Sequence, residues 1–128
     1  MKTSDDIESY LIEMDSNYNL VGQNIWVIKD TGPDLVISIA GPVLVFRVKV
    51  MDEAQVKENR ESLFRTLLEL NATEMLHGSY GIEEGAIVMT SALELENLDF
   101  NEFQASIEDM SLAVTKHYPI LSRYVEAA

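Results

Sequence analysis

The 128-residue chain contains no cysteine, which excludes disulfides, thiolate zinc sites and cysteine nucleophiles together. Long apolar runs are missing too: no stretch approaches the roughly 18 residues of a membrane span. The first fifteen residues, Met1 to Asp15, are acidic where a secretory signal needs a basic start and an apolar run. These absences suit a reducing, cytoplasmic setting. Basic residues are scarce, with 9 Lys and Arg against 22 Asp and Glu and a formal net charge of −13. A chain so acidic repels phosphate backbones and anionic bilayers, so neither nucleic acid nor membrane is an expected partner. The surplus charge either keeps the chain soluble and self-repelling or suits a basic client.

Motifs for chemistry are missing as well. Gly78, Gly81 and Gly85 space a hairpin and form neither G-x-G-x-x-G nor a phosphate loop. No serine sits in a nucleophile elbow. Glu83 and Glu84 read as a solvated turn rather than an acid–base dyad. Asp15, Asn17 and Asn19 imitate the first half of an EF-hand loop. Its sixth and twelfth positions are Leu20 and Trp26, where the turn glycine and bidentate glutamate belong. His77 and His117 have no acid or second histidine at ligand spacing, so both read as structural. The expectation is no enzyme, no metal and no cofactor.

What is present is ordinary globular material, 47% hydrophobic and 24% charged, of a length that suits one domain over residues 1–128. Thr3-Ser4-Asp5-Asp6 matches a capping box, and Ile7, Tyr10, Leu11 and Met14 follow at helical spacing. Asp15 to Asn19 ends that helix. Three strands are predicted next: Asn24 to Lys29, Leu35 to Ala40 and Val43 to Met51. The turns between them are short, so neighbours are antiparallel. Leu35, Ile37 and Ile39 share one face, as do Leu44, Phe46, Val48 and Val50. The opposite face is mixed, with Val36, Val43 and Val45 beside Arg47 and Lys49. A helix is predicted over Asp52 to Ala72, then a hairpin near Ser79–Ile82 and Ala86–Leu95. A last helix opens at Asp99 or Asn101, and Pro119 should kink or break it near Tyr118. The order is α-β-β-β-α-β-β-α, an α+β domain whose antiparallel sheet carries helices on one side. Ile25-Trp26-Val27-Ile28 is apolar on both faces. Either the first helix covers its second face or that face meets another protein.

The segment from Leu67 to Phe103 resembles the type III secretion chaperone family, also called the Tir chaperone family, and its YbjN-like relatives. The likeness rests on Leu67, Leu68 and Asn71 at the end of a helix and on Tyr80 and Ile82 in a short strand. Glu84 and Gly85 follow in a turn, Ile87, Val88 and Met89 in a second strand, and Leu98, Asp99 and Phe103 at a helix start. Element order, length, acidity and the lack of cysteine agree over nearly the whole chain. The resemblance implies a small non-enzymatic cytoplasmic homodimer that holds an extended segment of a secreted effector. Its alternative is a YbjN-like regulatory or adaptor protein of the same fold without a secretion role. By the same resemblance, dimerisation falls on Leu63, Phe64, Leu67, Tyr80, Ile87 and Met89. Partner contact falls on Tyr10, Trp26, Val36, Val43 and Val45. Simple core packing competes with these roles at each dimer position.

Overall fold

The first helix, α1 (Ser4–Glu13), opens as its sequence requires. The backbone N–H and the hydroxyl of Thr3 both donate to the Asp6 carboxylate, at 2.8 and 3.1 Å. An acid that favours the helix dipole thus also closes the first turn. The backbone bond, and then the hydroxyl bond, hold the Asp6 carboxyl below the usual carboxylate range. Ile7 and Leu11 are fully buried, and Tyr10 and Met14 pack against the same core.

The computed structural model describes residues 1–30 and 32–125. After α1 come β1 (Tyr18–Gly22), β2 (Ile25–Ile28), β3 (Leu35–Ala40) and β4 (Val43–Asp52). A 3₁₀ turn (Glu53–Gln55) leads to α2 (Arg60–Thr73), then β5 (Ser79–Glu83), β6 (Ala86–Glu94) and α3 (Phe100–Leu121). The fold class is the α+β one expected, with one strand more than the pattern indicated. All neighbours in the six-stranded sheet are antiparallel, in the order β1-β2-β3-β4-β6-β5. The extra strand, β1, falls partly in the polar stretch read as a helix stop. Its pairing is decided by the Gln23-Asn24 turn, where Asn24 takes a positive φ of 61°. Backbone bonds from Lys29 to Asn17, and from Asn17 to the Asp30 carboxylate, close the far end of that hairpin.

Two other expectations shift. The second helix begins at Arg60 rather than Asp52, because Val56 turns into the core in an extended conformation and stops a continuous helix. Arg60 then donates to the Val56 and Glu53 carbonyls and fastens the step. Pro119 does not break α3, which runs on to Leu121. The proline removes one donor in the last turns, and the buried Leu121 and His117 hold those turns in place.

The inner face of the sheet carries Trp26, Ile28, Leu35, Ile37, Leu44, Phe46, Val48, Ile87 and Met89, all buried beneath the helices. A bulge between Lys49 and Met51 hands the last inward position of β4 to Met51. Phe103 of α3 sits at the centre, with its ring 6.0 Å from Phe46 and 5.3 Å from Tyr10. Among the described residues no helix covers the outer face. There Val27, Val36, Val43 and Val45 stay half-buried by their neighbours alone.

Candidate partner-binding surfaces

Among the described residues, three of the apolar surfaces left after the core is closed lie on the sheet and its edges. The first is the β1 edge. Leu20 and Val21 are 58% and 57% exposed, and the strand YNLVG has no lysine, proline or inward charge to discourage pairing. Tyr18 contacts Glu8 through its hydroxyl at 3.2 Å, which brings that side of α1 alongside β1. Ile12, one turn beyond Glu8, is also exposed. An unpaired backbone edge thus runs between exposed aliphatic side chains.

The opposite edge, β5, is treated differently. The Asn71 side chain of α2 accepts from the Tyr80 N–H at 2.7 Å and donates to the Tyr80 carbonyl at 3.2 Å. One amide thereby replaces a strand at the centre of this edge. Beside it, Leu68 of α2 is 67% exposed, Ile82 of β5 is exposed and Phe64 is half-buried. These three form the second apolar surface.

The third surface is the outer sheet face. Its cations do not make it basic. Arg47 pairs with Glu83 at 2.9 Å and Lys49 with Asp52 at 2.7 Å. Arg47 lies opposite Thr90 and Glu83 opposite Ala86, so their bond spans β6 over Val88. That explains why Val88 is buried although it points away from the core.

The expected site residues divide accordingly. Val36, Val43 and Val45 lie together on the outer face. Trp26 does not join them. It pairs with Ile37, points inward and is 1% exposed, so Ile25 and Val27 are the residues β2 offers outward. Tyr10 is taken up by α3: it packs on Phe100 and Phe103 and donates its hydroxyl to the Leu98 carbonyl at 3.2 Å. Leu63, Leu67, Tyr80, Ile87 and Met89 are buried within a single chain, and of the expected dimer set only Phe64 reaches the surface. The apolar stripe of α2 is wider than one face. Leu63, Leu67 and Leu70 turn inward, while Phe64 and Leu68 sit about a quarter-turn round the helix.

Both histidines find partners far from them in the sequence. His77 does meet an acid: its ring bonds Asp109, 32 residues away on α3. His117 is buried, with Nδ1 2.6 Å from the Tyr80 hydroxyl. Burial pushes the Tyr80 phenol well above its ordinary value. Burial likewise pulls the His117 imidazole down, with Glu74 opposing the shift and Lys116 reinforcing it. Among the described residues no three His, Asp or Glu side chains gather closely enough to hold a metal, and no helix is long and apolar enough to cross a membrane.

The CesT_Tir_1 family model matches residues 1–127 of the sequence. No curated protein matches it. Solved structures share the fold at low identity. YbjN from E. coli, proposed as a transcription regulator, is 12% identical with a TM-score of 0.71, over 98% of this chain and 97% of its own. A chain of the heterodimeric ExoU–SpcU complex, from the type III secretion system of Pseudomonas aeruginosa, is 14% identical with a TM-score of 0.67, over 94% and 98%. The Yersinia pestis type III secretion chaperone SycH, solved with a stable fragment of YscM2, is 15% identical with a TM-score of 0.59, over 88% and 97%.

Proposed function

Because the chain belongs to the CesT_Tir_1 family of secretion chaperones, we propose that it holds an extended segment of a secreted effector in the cytoplasm, as a homodimer. The family is non-enzymatic, and the chain is a binding protein rather than an enzyme. The observation that carries the reading is the β1 edge, which is long enough to pair, apolar and unguarded. Strand addition there supplies backbone hydrogen bonds that any extended segment can satisfy, and the aliphatic side chains around it select for apolar residues. The outer face at Val36, Val43 and Val45 continues that contact. An extended client loses much conformational freedom on binding and needs such a large wrapped interface. Phe64, Leu68 and Ile82 form the surface for the twin. The charge of −13 keeps a holder soluble while it carries an apolar client.

Leu20→Lys puts a guarding charge on the edge without disturbing the core. The variant is expected to melt within about 2 °C of the parent, since exposed positions usually change stability by about 0.5 kcal/mol or less. Recovery of the partner that co-purifies with the parent chain from its native host is expected to fall at least about tenfold. Undiminished recovery would remove β1 from the binding surface. The likeness to YbjN across 98% of the chain favours a second reading, an adaptor or regulator of the same fold with no secretion role. The captured partner separates the two: a secreted effector supports the first, a resident protein the second.

A further inference from the structure

Tyr80 joins three elements at one point. Its backbone is held by Asn71 of α2, it pairs with Met89 of β6, and its hydroxyl meets His117 of α3. We propose that the Tyr80–His117 contact is an acid-sensitive latch. Protonating the imidazole detaches the last turns of α3 from the edge hairpin and widens the apolar groove between them. The inference does not depend on which partner the chain binds.

With a neutral imidazole the hydrogen bond buries no charge and satisfies the Tyr80 hydroxyl proton. With the phenol hydroxyl as donor, Nδ1 of His117 accepts and the ring proton sits on Nε2. An imidazolium carries N–H on both nitrogens, and the Tyr80 hydroxyl then loses the only acceptor it has among the described residues. The charge would also be buried. The ionisable side chains that share its cleft are Glu74 at the end of α2 and Lys116 and Asp109 on α3, with His77 from the loop between α2 and β5. Both carboxylates are already engaged, Glu74 by Lys116 at 3.2 Å and Asp109 by His77. Neither is free to take up a new cation, so burial prevails and His117 resists protonation while latched.

The sign of the pH effect follows. The latched ring has its pKa below that of a free histidine, about 6.5, so the open form binds more protons in the window between. The latch is at full strength above about pH 6.5 and weakens as pH falls toward the lowered value. The segment it holds is already thin in helix bonds, because Pro119 offers no N–H to the Thr115 carbonyl. Beside it lies an open groove of about 630 Å³ lined by Val50, Met51, Tyr80, Val114, Tyr118 and Leu121.

Hydrogen exchange tests this. Amides of residues 114–124 are compared with those of α1 at pH 7.5 and 5.5, each corrected for its intrinsic exchange rate. In the parent chain, protection over 114–124 is expected to fall several-fold, and by no more than about tenfold, at the lower pH while α1 is unchanged. His117→Gln can still accept the Tyr80 hydroxyl but does not titrate, and is expected to keep its protection at both values. If that variant does not fold, Tyr80→Phe lacks the latch and is expected to show low protection over 114–124 at both. Protection that ignores pH in the parent chain, falls equally over α1, or falls as much in His117→Gln would overturn the latch. So would parent-like behaviour of Tyr80→Phe.

Discussion

Gly78→Ala is expected to lower Tm by more than about 10 °C, a loss of about 3 kcal/mol or more for a domain of this size. Gly78 has φ +82°, a left-handed conformation that costs other residues about 1–2 kcal/mol. A methyl group there would also lie 2.4 Å from the Thr90 carbonyl oxygen and 3.1 Å from Ser91 Cβ. The first of these is backbone in the middle of β6, so the sheet itself must move. Gly85 separates the two causes. Its φ is +80°, but nothing lies within 4 Å of the added carbon, so Gly85→Ala carries the conformational cost alone. Thermal melts of the two variants side by side make the comparison. Equal losses would mean that the close approach of Gly78 to β6 is not what fixes the hairpin.

Leu68→Asp is expected to weaken self-association at least about 100-fold, roughly 2.7 kcal/mol, by placing a charge in a surface that must lose its water. Leu68 is 67% exposed in the single chain, so the substitution should leave the protomer folded. Leu67→Asp would not serve, because Leu67 is 5% exposed and its replacement would unfold the chain. Sedimentation equilibrium of parent and variant measures the effect. A parent chain that stays monomeric at tens of micromolar, or a dimer indifferent to Leu68→Asp, would remove α2 from the interface.

The same residue pair shows how far the sequence could be read. Helical spacing marked α2 as amphipathic, and it placed Leu63 and Leu67 on the apolar side with Phe64 and Leu68. It could not rank them, because two neighbouring stripes share that periodicity and only the position of β5 decides which one is inside. Strand alternation succeeded where the neighbours were fixed. Leu35, Ile37, Leu44 and Phe46 are buried, while Val36, Val43 and Val45 face outward. It failed at Ile25-Trp26-Val27-Ile28, which is apolar throughout and whose inner set follows from its register against β3. The β1 edge was missed for a local reason. A five-residue strand with two exposed aliphatics has no alternation to detect, and a neighbouring hairpin partner creates it. His77 and Asp109 are far apart in the chain, and no spacing rule brings a loop onto α3.

The most direct measurement puts a photo-activatable residue at position 20 of the chain in its native host, with position 108, on the exposed side of α3, as control. If Leu20 marks the edge that takes up a client strand, illumination should yield one adduct from position 20 and none from position 108. Its cross-linked peptides should map to a single continuous segment of the partner. No adduct from position 20 beside a clear one from position 108, or adducts scattered over many unrelated proteins, would contradict a holder that works through the β1 edge.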